Sequence, residues 1–148
     1  MNDKDLPVYF NFFNEIGIID QLSSTLMEAQ LPKGFLISHF GVLNHLSRLE
    51  TGSTPLTIAK AFQVPKASMT HTLSGLEKAG LIEMRPNPND GRSKLVHITE
   101  AGMQFRMDAI YRLAPKIAKL SETFPVETIA AALPLLSEIR SYLDEERN

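Results

Sequence analysis

The stretch KASMTHTLS carries the polar side chains of Lys66, Ser68, Thr70, His71 and Ser74 within nine residues. Hydroxyl, imidazole and ammonium groups spread along one polar face suit phosphate oxygens and base edges. Further along, Arg92 and Lys94 flank Ser93, with Asp90 close by. Asp90 is near enough to hold an arginine in a fixed pose. A guanidinium on a projecting tip fits a narrow minor groove, where the negative potential is strongest. Taken singly, each set also reads as a solvated helix face or an ordinary charged hairpin.

The elements that must position these groups favour the first reading. Lys66 to Ala79 places Met69, Leu73 and Leu76 at helical spacing, a buried stripe beneath the polar face. Pro65 stands at the helix entrance, and Gly80 stands where a helix ends. Leu81 to Arg85 continues as a short strand, and Lys94 to Ile98 returns as a second. Between them, Pro86-Asn87-Pro88-Asn89-Asp90-Gly91 is a dense turn signal. Upstream, Leu56 to Phe62 predicts a short helix, joined by Gln63-Val64-Pro65 to the polar-faced one. Two short helices so tightly linked form a helix-turn-helix, and the hairpin that follows is its wing.

Other chemistry finds no support. The histidines His39, His45, His71 and His97 share no paired spacing on one helical face, and no HExxH motif occurs. His39 and His45 lie too far round a helix to chelate a metal unaided. Gly75, Gly80 and Gly91 are scattered rather than gathered into a phosphate loop, and no GxSxG context appears. The chain has no cysteine, which excludes disulfides and thiol chemistry. We therefore expect no catalytic residues, no metal and no cofactor.

The composition, with 43% hydrophobic and 22% charged residues over 148 positions, is that of an ordinary globular chain with room for a substantial core. No apolar run approaches the roughly 20 residues that span a bilayer, and no secretory leader is evident, so a cytoplasmic location is the default expectation. The formal net charge of −2 is unevenly spread. Between Leu56 and Ile98, six Lys or Arg face three acids, leaving that segment near +3 and the remainder near −5. Local positive charge is what releases counterions from a nucleic acid.

The ends of the chain are helical and unusually apolar. Leu6 to Gln30 carries Leu6, Phe10, Phe13, Ile16, Ile19, Leu22 and Leu26 on one stripe, with Phe12 and Ile18 off it. Phe35 to Leu49 predicts another helix after the Pro32-Lys33-Gly34 break. Thr99 is a candidate N-cap for a helix to about Leu120, with a kink or early break at Pro115. Val126 to Glu146 follows, and Pro134 predicts a bend or a divided helix. This apolar surface exceeds what one small core covers, and a partner is expected. A monomer whose terminal helices cap its own core is the alternative.

The run from Phe35 to Gly102 resembles the MarR family of winged-helix transcriptional regulators. The resemblance rests on Gly41-Val42-Leu43, Leu56-Thr57-Ile58-Ala59, Leu76-Glu77-Lys78-Ala79-Gly80-Leu81-Ile82, Asp90-Gly91-Arg92-Ser93 and Ile98-Thr99-Glu100-Ala101-Gly102. It implies a mainly α fold with a small β-hairpin wing (α+β). Residues 35–99 would form the winged helix-turn-helix lobe, and 5–31 with 100–146 a helical dimerisation region. It implies a homodimeric, sequence-specific regulator, most often a repressor, on a pseudo-palindromic double-stranded operator. Lys66, Ser68, Thr70, His71, Ser74, Asp90, Arg92 and Lys94 would be the DNA-binding set, with His71 where relatives often carry arginine. It further implies a small aromatic or anionic effector in a crevice lined by Phe12, Phe13, Ile16, His39 and Phe40, which equally read as core. A winged-helix module that binds a protein through the same face is the alternative function.

Overall fold

The computed structural model describes residues 2–147. It contains seven helices and one antiparallel hairpin among those residues, in the order α1 (Leu6–Glu28), α2 (Ile37–Leu46), α3 (Pro55–Ala61), α4 (Lys66–Lys78), β1 (Ile82–Pro86), β2 (Lys94–Ile98), α5 (Glu100–Arg112), α6 (Ala114–Thr123) and α7 (Val126–Glu146). The chain divides into two compact units between Arg112 and Leu113. No helix among the described residues is long and apolar enough to cross a membrane.

The core of the first unit is built from the apolar stripes of α2, α3 and α4. Val42, Leu43 and Leu46 meet Ile58 and Ala59, then Met69, Leu73 and Leu76, and the cluster closes on Leu81, Ile82 and Val96 of the hairpin. Burying these branched side chains against one another is the main favourable term holding the helices in place. Thr54 caps α3, its hydroxyl oxygen accepting from the Thr57 amide at 3.2 Å, with Pro55 in the first turn. Between α3 and α4, Gln63 takes a φ of +52°, and the Val64 amide donates to the Ala59 carbonyl at 3.1 Å. That left-handed residue reverses the chain within three positions, so α4 starts against α3.

The hairpin differs from expectation by one residue at its first strand. Gly80 adopts a φ of +74°, and the Leu81 amide donates back to the Leu76 carbonyl at 3.0 Å. Leu81 thus closes the helix instead of opening the strand, and β1 begins at Ile82. The strands pair from Ile82–Ile98 to Pro86–Lys94, with Met84 opposite Val96. Ser53 bridges Val96 from the other side, so β2 is central and β1 is an outer edge. On β1, the side chains of Glu83 and Arg85 form an ion pair.

Helix α2 is shorter than the expected 35–49. Leu36 is extended, and the His39 Nδ1 accepts from its amide at 2.8 Å. At the other end the helix gives way to a turn at Ser47, whose hydroxyl donates to the Asn44 carbonyl at 2.7 Å. The break predicted at Pro115 is present: α5 ends at Arg112, and α6 begins with the proline in its first turn. Pro134 does not divide α7, which runs through it. Proline removes only one helical donor there, the one that would meet the Ala130 carbonyl.

Thr99 is the predicted cap of α5 and more. Its Oγ1 accepts from the Gly102 amide at 3.0 Å and donates to the Gly80 carbonyl at 2.7 Å, while its own amide donates to the Leu81 carbonyl at 3.1 Å. Helix α5 enters so close to this junction that a Cβ on Gly102 would lie 2.1 Å from the Leu81 carbonyl oxygen. Backbone cannot yield as a side chain does. Gly102→Ala is therefore expected to lose about 3 kcal/mol of stability, checked by urea unfolding against wild type.

Candidate nucleic-acid interface

Helix α4 turns its stripe of Met69, Leu73 and Leu76 inward, which forces the residues between them out. Lys66, Ser68, Thr70, His71 and Ser74 are all exposed. They do not share one surface. Lys66, Thr70 and Ser74, spaced four apart, face the hairpin, where they line a cleft of about 740 Å³ with Asp90, Arg92 and Lys94 on its opposite wall. Ser68 and His71 line a different cleft of about 550 Å³, against Ser38 and Val42 of α2 and Phe62 and Val64 of the linker. The structure thus joins six of the eight sequence-predicted residues and sets two on the adjoining flank.

The hairpin tip is held by its own side chains. The Asp90 carboxylate accepts from the Arg92 amide at 2.9 Å, and the Asn87 Oδ1 accepts from the Asn89 amide at 3.1 Å. The Asn87 side-chain amide also donates to the Ser93 hydroxyl at 2.9 Å across the loop. These local bonds fix a turn without regular pairing. Asp90 braces the backbone under Arg92. It does not pair with the guanidinium, and no carboxylate among the described residues does. Arg92 and Lys94 therefore present exposed, uncompensated charge beside α4.

Two features of the cleft escaped the sequence reading. Thr54, Pro55 and Leu56, at the start of α3, form part of its rim. Nothing in the local sequence signals this, since only the packing of α3 on α4 brings them there. Glu77 also lines the cleft, and its spacing of three from Ser74 would have revealed it. Its carboxylate is repulsive to a polyanion and marks the end of the surface a phosphate chain can follow.

The residues expected to line an effector crevice are spread between helix surface and core. Phe12 and Ile16 are half-buried, Phe13 is exposed, and the Phe12 and Phe13 rings meet edge to face at 5.5 Å. Phe40 is buried. His39 packs its ring edgewise on Phe35 at 5.5 Å, and its Nε2 lies against Gly75 of α4. No group of three or more His, Asp or Glu among the described residues is placed to hold a metal ion.

Burial holds the His39 imidazole below its ordinary value, and the nearby His71 lowers it further. His45, edge-on to Phe62 at 5.5 Å, is lowered by burial and then by Arg48. Protonating His39 at Nδ1 would also convert the acceptor of the Leu36 amide into a donor facing a donor. Both groups favour the neutral form when folded, so the unfolded chain binds more protons as the pH falls. Their stabilising contribution is complete above the unfolded value of 6.5 and lost as the pH drops through the depressed folded values. Wild type should lose more stability between pH 7 and pH 5 than a His39→Gln, His45→Gln variant, measured by denaturant unfolding across that range.

A bracing helix, an exposed second helix and a two-stranded hairpin beside it define a winged helix-turn-helix protein. A model of the MarR family matches residues 33–93. Escherichia coli multiple antibiotic resistance protein MarR is 31% identical over 100 residues, covering 62% of this chain and 69% of that protein. The chain belongs to the MarR family. Its fold superposes on the transcriptional regulator BldR of Sulfolobus solfataricus with a TM-score of 0.75 at 23% identity, over 96% of this chain and 99% of that one. It also superposes on a mutant E. coli MarR crystallised with operator DNA, with a TM-score of 0.66 at 24% identity, over 87% of this chain and 93% of the other.

Proposed function

We propose that the protein is a homodimeric, sequence-specific DNA-binding transcriptional regulator that acts as a repressor. The observation that carries this reading is the cleft between α4 and the hairpin. There, Lys66, Thr70 and Ser74 oppose Arg92 and Lys94, with Asp90 holding the turn. Helix α4 enters the major groove and Arg92 the adjacent minor groove, while Lys66 and Lys94 meet phosphates. Ser68 and His71, on the other flank of α4, lie within reach of the opposite groove wall. The E. coli relative crystallised with operator DNA supports the same use of the fold.

Dimerisation is supported by surface that water should not see. Among the described residues, α1 buries none, although it carries Phe10, Ile19 and Leu22, each at least 60% exposed. Helix α7 likewise buries none, with Leu133, Leu135 and Leu143 exposed. A second copy covering these faces gives a two-fold assembly whose α4 helices stand about one DNA turn apart. Sedimentation should therefore give twice the chain mass, and Phe10→Asp should shift the species toward the monomer.

Relief of repression by a small aromatic or anionic effector is part of the same reading, with Phe12, Phe13, Ile16, His39 and Phe40 as the residues to probe. A panel of phenolic acids should raise the melting temperature for at least one member.

Arg92→Ala is expected to weaken binding to the cognate duplex about tenfold at moderate salt while leaving the melting temperature unchanged. The logarithm of wild-type affinity should fall steeply and linearly with the logarithm of salt, with a shallower slope in the variant. A salt-insensitive complex, or full affinity in Arg92→Ala, would instead mark the helix and wing as a protein-binding surface.

A further inference from the structure

The three α4 side chains facing the hairpin are not equivalent. Lys66 offers a charge. The Ser74 hydroxyl has no hydrogen-bond partner among the described residues, so it is available to donate or accept outward. Thr70, one turn from each, is exposed and lines the same cleft, yet its Oγ1 donates to the Lys66 carbonyl at 2.9 Å. The proton is committed to the helix and the oxygen is turned back along it. With its donor spent, Thr70 keeps an acceptor oxygen and a methyl group on a β-branched carbon with restricted side-chain rotation.

In the major groove, the base feature that an uncommitted methyl meets favourably is the C5-methyl of thymine. A donor or acceptor pressed against it would lose its water without gaining a partner. The position is central, flanked by Lys66 and Ser74 and opposite Arg92 and Lys94, so phosphate contacts by Lys66 and Lys94 would fix its register. We propose that Thr70 is a specificity-determining residue that selects a thymine in each half-site through its methyl group, with its hydroxyl serving the helix. This rests on the DNA-binding reading above and adds to it which base chemistry the helix selects.

The test begins by selecting duplexes from random sequence with the full-length protein, then replaces each thymine of the enriched half-site by deoxyuridine. One replacement in a single half-site should weaken wild type about fourfold, the value of one buried methyl group, and one in both half-sites about fifteenfold. Thr70→Ser, which lacks the methyl, should be indifferent to that replacement. Thr70→Val, which keeps a methyl and lacks the hydroxyl, should remain sensitive to it. If Thr70→Ser discriminates thymine from deoxyuridine as wild type does at every position, or Thr70→Val loses the discrimination, the assignment is overturned. Enrichment without this coupling defeats the role of Thr70 alone. Failure to enrich any sequence defeats the DNA-binding reading and this inference with it.

Discussion

One residue, Thr99, ties together the three elements on which the winged helix depends for its geometry. Its hydroxyl oxygen links the end of α4, through the Gly80 carbonyl, to the start of α5, through the Gly102 amide. The adjacent amide adds the Leu81 carbonyl, one residue before the hairpin begins. These bonds are individually modest, on the order of 1 kcal/mol each. Their effect is geometric: they fix the direction in which the hairpin leaves the helix. Core packing then holds the other side, with Val96 of β2 fully buried against the helical stripes. Without both restraints, Arg92 would have no defined distance from Lys66.

Charge on this surface works by placement more than by quantity. The molecule is slightly acidic overall, and a polyanion approaching from most directions gains little. At the cleft, Arg92 and Lys94 have no carboxylate partner among the described residues, because Asp90 is occupied with a backbone amide and Glu83 with Arg85. An arginine already paired to a neighbouring acid would have to break that pair before meeting a phosphate. Leaving the cation exposed keeps the cost of engagement low. Glu77 sets the limit of the favourable surface.

Much of this architecture was legible in the residues. The stripe of Met69, Leu73 and Leu76 located α4, β2 stands at Lys94–Ile98 as read, and Pro115 located the break between α5 and α6. Periodicity and proline report local geometry faithfully, because they act within one turn of the chain. What escaped depended on contacts between distant residues. Ser53 pairs with Val96 although two helices and a strand lie between them in the chain, and no local pattern distinguishes such a residue from an ordinary turn. Sequence makes His39 a candidate lining residue, whereas its side chain accepts from the Leu36 amide at the start of α2. The polar face of α4 looked continuous in sequence, yet its residues divide between two clefts, according to whether the hairpin or α2 lies opposite.

The outer position of β1 has a bearing on how the protein survives at high concentration. A strand paired on one side only is a template for recruiting strands from other molecules, the first step toward fibrous aggregates. This one is short, carries the paired charges of Glu83 and Arg85, and ends in Pro86, which has no amide to donate. Those are the devices that keep a bare sheet margin from self-associating. The hairpin can thus project into solvent, as a groove-reading element must, without inviting another copy to zip onto its edge.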